Sequence, residues 1–298
     1  MDTFSQYYAS LREKNQQQMQ KRRQECLAAS PAFADIFAQK GKAFSLPKDK
    51  GLAVLKDLKK QQGALLSSLG LPETYLEPIY TCALCRDTGY TGSPVQKKCV
   101  CRLQLEQQSR MESGRINDRE TFAHFNPDFY PDEVSKARGQ RIKDFCQQYA
   151  DALPAPQKPQ LYFCGMPGLG KSFFANAIAY RALQKGVESL RVTAYYFVQD
   201  IMNGMNKKVS PLPQYMHVPF LVLDDLGSEP MIPNITGESL FALCDERRSA
   251  GLATVYITNL SLAELRDRYG ERVASRITDS AVTTAIQFSG SNLRERRS

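Results

Sequence analysis

Leu161-Tyr-Phe-Cys-Gly165-Met-Pro-Gly168-Leu-Gly170-Lys171-Ser172 decides the reading of this chain. A short apolar run of strand character meets Gly-x-x-x-x-Gly-Lys-Ser, and a helix-forming segment, Phe173 to Leu183, follows at once. Between strand and helix, that spacing is a phosphate-binding loop. Gly165, Gly168 and Gly170 permit backbone angles that side chains would forbid, so successive N–H groups can turn inward around an anion. The following helix adds its positive end. Lys171 supplies a point charge to the β- and γ-phosphates, and the Ser172 hydroxyl is a ligand for Mg²⁺. A glycine-rich turn that happens to carry a lysine would not need the strand before it and the helix after it. The expected ligand is a nucleoside triphosphate lying on Gly165, Pro167, Gly168, Leu169, Gly170, Lys171, Ser172 and Phe173.

Downstream, apolar runs and helical segments alternate. Ser189 to Thr193 reads as a second strand, and Tyr195 to Asn206 as a helix ending in Lys207-Lys208 and a proline-rich turn. Val218-Pro-Phe-Leu-Val-Leu223 is a third strand, apolar up to Asp224-Asp225. Thr236 to Ser249 is helical, and Ala253 to Ile257 is a fourth strand ending in Thr258-Asn259. Ser261-x-x-Glu264 opens the next helix with a capping box. Glu271 to Thr278 forms another helix, and Val282 to Phe288 a fifth strand. The alternation predicts an α/β domain whose five-stranded parallel sheet is wrapped on both faces.

The strand ending in Asp224-Asp225 is what a phosphate loop needs opposite it. Asp224 is placed to hold Mg²⁺, and Asp225 to act as the base that orients the attacking water, with Glu229 as the alternative base. A helix cap or solvated turn would also explain two adjacent acids, but not their place after an apolar strand downstream of the loop. Asn259, at the tip of the next strand, could hydrogen-bond the γ-phosphate or the water. Arg272 and Arg276 share one helix face four residues apart. Either they form a salt-bridged surface, or one of them serves the nucleotide of a neighbouring subunit.

Upstream, Tyr80-Thr-Cys82-Ala-Leu-Cys85-Arg-Asp-Thr-Gly89-Tyr and Lys97-Lys-Cys99-Val-Cys101 bring four cysteines within 20 positions. A Cys-x-x-Cys knuckle, a glycine turn and a second close pair fit a closed, structural four-thiolate zinc site, although Cys-x-Cys is tighter than the usual spacing. His124 is not needed for it. Before this knuckle the chain is polar with helical periodicity. Gln16 to Gln24 reads as an exposed helix. Pro31 to Phe37 and Leu52 to Leu69 carry apolar stripes that pack on each other or meet a partner protein. After the knuckle, Arg102 to Arg119 reads as a charged helix and Thr121 to Pro131 as an aromatic, proline-broken connector. Val134 to Ala150 has helical spacing. The 298 residues, 42% of them hydrophobic, carry a net charge of +8. That balance is compatible with nucleic acid as a partner. No apolar run is long enough to span a bilayer, and the N-terminus lacks signal-peptide form, so a cytoplasmic protein is expected.

Together these residues resemble the AAA+ ATPases of the bacterial replicative helicase loader group (DnaC/DnaI-like), with the IstB-like transposition helper ATPases close behind. The resemblance lies in Gly165 to Ser172, Leu223-Asp-Asp-Leu-Gly227-Ser-Glu229, Thr258-Asn259, Tyr269-Gly-Glu-Arg-Val-Ala-Ser-Arg276-Ile and Phe288-Ser-Gly-Ser-Asn-Leu-Arg294. The cysteine region looks like the zinc-containing helicase-binding domain of the DnaI type, whose usual ligand set includes a histidine. The resemblance implies ATP with Mg²⁺ as cofactors beside Zn²⁺. It makes Asn259 a sensor residue, Arg276 an arginine finger acting in the next subunit, and Arg294 a second sensor. It implies an AAA+ P-loop core without a C-terminal helical lid (residues 159–298), preceded by a zinc-binding, helicase-interaction domain (1–110) and a linker with a lead-in helix (111–158). The implied activity is ATP-dependent loading of a hexameric helicase onto single-stranded DNA, with self-association through the ATP sites. Single strands would meet Thr193 to Lys208, where Tyr195, Tyr196 and Phe197 offer stacking faces, unless they are core, and Lys207 and Lys208 offer phosphate contacts. A transposition helper that grips duplex DNA and recruits a transposase is the alternative. A metabolic kinase is disfavoured, because no acceptor-binding motif appears and the arginines would have no role.

Overall fold

Strand and helix periods decide which way each side chain faces. In the computed structural model, which describes residues 3–92, 95–207 and 209–293, they sort the chain into two compact units, Met1–Glu106 and Gln107–Ser298. The first unit is built from α1 (Thr3–Ala29), α2 (Ala32–Ala43) and α3 (Lys48–Ser68). A two-residue hairpin of β1 (Tyr90–Thr91) and β2 (Lys97–Lys98) follows, then the start of α4 (Val100–Ser113). Its core is small: Cys26, Phe33 and Leu66 are buried, with Phe37, Leu65, Leu71, Tyr75 and Leu76 packed against them. The leucine stripe of α3 splits accordingly. Leu58 and Leu66 turn inward, whereas Leu52 and Leu69 stay exposed.

The second unit is a five-stranded parallel sheet of β3 (Gln160–Gly165), β4 (Ser189–Thr193), β5 (Phe220–Leu226), β6 (Ala253–Thr258) and β7 (Thr283–Phe288). Its spatial order is β4-β5-β6-β3-β7. Alternation along each strand feeds two separate cores. Leu161 and Phe163 pack with Phe220, Val222 and Val255 under α5 (Glu133–Ala152) and α6 (Lys171–Gln184). Tyr162, Leu221, Leu223 and Tyr256 pack on the other face, with side chains of α7 (Ala194–Lys207), α8 (Leu212–His217), α9 (Thr236–Ser249) and α10 (Leu262–Thr278). Buried Arg247 pins the lower edge of this face. Its guanidinium donates to the carbonyls of Tyr215 (2.9 Å), Val218 (2.8 Å) and Ala253 (2.6 Å). Burial lowers its pKa to about 10.

Some expectations need correction. The segment read as linker and lead-in helix, 111–158, belongs to the second unit, and its Cys146, Tyr149 and Ala150 are core residues under the sheet. The first compact unit ends at Glu106, within helix α4. The turn after α7 holds the short helix α8, whose Tyr215 is 2% exposed. The two helices expected after Ser261 are present: within the span α10 a non-helical Gly270 (φ 81°, ψ 161°) separates them, and the Ser261–Glu264 capping box opens the first. Among the described residues, no helix is long and apolar enough to cross a membrane.

Candidate functional site

The C-terminal ends of β3, β4, β5 and β6 meet at one cavity of about 490 Å³ in the second unit. At the end of β3, Gly165 must be glycine: a Cβ there would stand 2.1 Å from the Phe288 carbonyl oxygen of β7. Gly170, in the left-handed region at φ 90°, caps α6, so the loop from Pro167 to Phe174 lines the cavity at a helix N-terminus. Lys171 is 6% exposed. Its ammonium donates to the carbonyls of Gly165 (2.5 Å) and Met166 (2.7 Å) and to Asn259 Oδ1 (2.8 Å).

The acids come from a β-bulge. β5 and β6 shift register between Leu223 and Leu226, and Asp225 adopts a left-handed φ of 58°. A bulge re-aims the side chains beside it. Here Asp224 turns inward to 4% exposure while Asp225 faces the cavity, and Thr258 Oγ1 donates to the Leu226 carbonyl (2.7 Å) to hold the distortion. Ser172 Oγ donates to Asp224 Oδ1 (3.1 Å), and Asn259 Nδ2 donates to Asp225 Oδ1 (3.2 Å). A hydroxyl beside a carboxylate at a phosphate loop is the all-oxygen donor set that a hard divalent cation takes. The residues fit magnesium.

Gly165, Pro167, Gly168, Leu169, Gly170, Lys171, Ser172, Phe173, Asp224, Asp225 and Asn259 are thus brought together. Glu229 is not. Its carboxylate is buried away from the cavity, accepting from the Gly227 N–H (3.0 Å) and from the Tyr269 hydroxyl. It does not line the cavity in this arrangement, whereas Asp225 does. Arg276 does not line this cavity either. Its Nε donates to Asp245 Oδ1 (2.6 Å), and Arg272 lies over the Phe241 ring at 4.1 Å. Arg294 and Lys208 lie outside the described residues. In α7, Tyr195 and Tyr196 are exposed, but Phe197 is fully buried against Tyr215 and offers no stacking face.

Sequence reasoning missed the opposite wall. Glu120, His124, Phe125, Asn126, Phe129 and Tyr130 line the cavity from the aromatic connector. Phe125 is fixed by Phe174 (5.7 Å) and Tyr130 (6.1 Å), which gives a flat apolar side suited to a base. The density of aromatics just upstream of a phosphate loop was the available signal.

In the first unit, the Sγ atoms of Cys82, Cys85, Cys99 and Cys101 lie within 4.8 Å of one another. Cys82 and Cys99 are 3.8 Å apart, and Cys85 and Cys101 3.5 Å. Four Zn–S bonds of about 2.3 Å in a tetrahedron give S···S edges of about 3.8 Å. The set fits zinc. The Gly89 N–H donates to Cys85 Sγ (3.4 Å). Burial raises the Cys85 thiol, but that N–H and the neighbouring thiols outweigh it and bring it down to about 7, while burial drives Cys101 up to about 12. Asp87, also missed, holds the knuckle. Buried and at φ 59°, it accepts from the N–H groups of Thr81 (3.0 Å) and Cys82 (2.7 Å) and from Asn15 Nδ2 of α1 (2.8 Å). Tyr8 of α1 is hydrogen-bonded to Cys101 Sγ at 3.2 Å.

A parallel sheet in this order, with the glycine loop and lysine after β3 and the acid pair on β5, defines an ATP-binding P-loop protein of the AAA+ class. The profile of the family described as IstB-like ATP binding protein matches residues 96–297, and the chain belongs to that family. The match begins inside the cysteine cluster, leaving Cys82 and Cys85 outside it. The chain is similar to the replicative helicase loader DnaI of Bacillus subtilis (strain 168), 29% identical over 185 residues, which are 61% of this chain and 58% of that one. It is 28% identical over 171 residues to the chromosomal replication initiator protein DnaA of Helicobacter acinonychis (strain Sheeba), covering 55% of this chain and 35% of that one. It thus spans less than two thirds of either relative. A crystal structure of the DnaC helicase loader is similar at 25% identity and a TM-score of 0.48, over 58% of this chain and 100% of the other.

Proposed function

We propose that this chain is an ATPase that loads a ring-shaped replicative helicase onto single-stranded DNA. The observation that carries the ATPase half is the convergence of Lys171, Ser172, Asp224, Asp225 and Asn259 on one cavity. Lys171, now held by two neutral carbonyls, would exchange them for the charged β- and γ-phosphate oxygens. Ser172 and Asp224 would hold Mg²⁺, which when bound neutralises phosphate charge. Asp225 takes a proton from a water whose oxygen attacks the γ-phosphorus as the bond to the β-phosphate oxygen breaks. Asn259, bonded to both Lys171 and Asp225, orients that water or the γ-phosphate. Arg276 lies away from its own cavity and is offered to the ATP of a neighbouring subunit, so hydrolysis depends on self-association.

The loader half rests on the first unit. A separate helical body closed by a four-thiolate zinc site suits docking to another protein, and the similarity to DnaI supports a helicase as that protein. Exposed Tyr195 and Tyr196, with Arg115 at 5.7 Å from the Tyr196 ring, suit stacking with single-stranded bases. The family match favours a second reading, a transposition helper that binds duplex DNA and recruits a transposase. Full-length protein, ATP, a hexameric replicative helicase and a circular single-stranded DNA separate the two. A loader moves helicase onto the circle only with ATP. Preference for duplex DNA without helicase transfer would overturn that reading.

A further inference from the structure

One charged residue in the strand next to the acid pair is left over. Arg191 sits in β4 between Leu190 and Val192, and its guanidinium is half-sheltered at 21% exposure. It makes a fork. Nη2 donates to Asp224 Oδ2 (2.9 Å), while Nη1 donates to Glu120 Oε2 (3.1 Å) and Asn176 Oδ1 (3.2 Å). Asn176, fully buried on α6, in turn accepts from the Asn117 N–H (3.0 Å) and donates to the carbonyls of Asn117 (2.7 Å) and Glu120 (2.9 Å). One planar group therefore connects the acid opposite the phosphate loop, the loop's own helix and the segment leading into the aromatic wall.

A cation beside a magnesium ligand looks self-defeating, because like charges repel. Two features offset that repulsion. Arg191 engages only Oδ2 of Asp224, leaving Oδ1 turned toward Ser172. Glu120 also cancels the guanidinium charge, so Arg191, Glu120 and Asp224 together keep one net negative charge for the metal. We infer that Arg191 is a positioning residue for the divalent cation: it fixes the rotation of the Asp224 carboxylate so that Oδ1 and Ser172 Oγ face the metal together. Outer partners that orient a ligand typically govern metal affinity by 10–100-fold. The inference rests on the nucleotide-site reading and deepens it.

The test uses the full-length protein with a non-hydrolysable ATP analogue and Mn²⁺ in place of Mg²⁺, reading bound manganese by electron paramagnetic resonance. Nucleotide affinity in excess EDTA is measured alongside and reports that each variant is folded. Arg191→Gln should weaken manganese binding by about tenfold or more while the EDTA affinity stays at the wild-type value. Arg191→Lys keeps the charge but offers its donors from a single nitrogen rather than from a rigid planar fork, so it should lose about as much. The sign decides between roles. Tighter manganese binding in Arg191→Gln would mean that the arginine competes with the metal, and unchanged binding, or a fully competent Arg191→Lys, would mean that its fork does not position Asp224. Each overturns the inference alone. Failure of the wild type to take up manganese with the nucleotide would overturn the site reading and this inference with it.

Discussion

The two units hold their functional groups by opposite means. In the second, strand alternation builds two apolar layers on a parallel sheet, and the polar groups of the site stand at strand ends that the core has already fixed. In the first, the main apolar cluster centres on Cys26, Phe33 and Leu66, and the cysteine knuckle is held by a buried aspartate and by helix α1. A sheet-built site can stand without its ligand. A four-thiol knuckle that fits zinc would draw its stability from the metal, because the binding free energy of a structural zinc is folding free energy. The comparison is therefore between a site that the fold carries and a fold that the site carries.

Removing zinc should give the largest effect. Structural zinc contributes about 10–16 kcal/mol of apparent binding free energy in small domains. Chelation, or Cys82→Ser, should cost the helices of residues 3–91 their hydrogen-exchange protection while ATP affinity stays unchanged. A parallel loss of ATP affinity would break the contrast. Next, Arg276→Ala should keep ATP binding but lower hydrolysis about 10³-fold or more. Mixing it with Lys171→Ala subunits should restore part of the rate, and no restoration would exclude catalysis between subunits. Lys171→Ala alone should weaken ATP binding by about 100-fold, from hydrogen bonds to charged groups worth about 1.5–3 kcal/mol. Near-normal binding would remove the lysine from the phosphates. Asp87→Asn should have the smallest effect, lowering the thermal stability of the first unit by about 1–3 kcal/mol. An unchanged transition would show that the knuckle does not need this clamp.

The second unit was legible because its signals are local. The glycine loop, the apolar strand ending in two acids and the capping box each lie within a few consecutive residues, and their periods match what the backbone does. What escaped is non-local. Glu120, Asn176, Arg191 and Asp224 span more than 100 positions, and nothing in the spacing of Leu190-Arg-Val192 says that the arginine crosses to an acid on the next strand. The bulge at Asp224–Asp225 buries one of two identical side chains and exposes the other, a difference in environment that their adjacency in sequence does not show. Glu229 lies in the right neighbourhood by sequence, but the Tyr269 hydroxyl and the Gly227 N–H claim its carboxylate. In the first unit the cysteine spacing announced the four-thiol cluster. Asp87 hid among the ordinary polar residues of a turn.

The central claim is tested most directly by a crystal structure of the full-length protein with Mg²⁺ and a non-hydrolysable ATP analogue. The triphosphate should lie along Gly165 to Ser172 with Lys171 on its β- and γ-oxygens, and the metal should sit between Ser172 and Asp224 with Asp225 facing the γ-phosphate. A nucleotide bound elsewhere, or Asp224 turned away from the metal, would contradict the account.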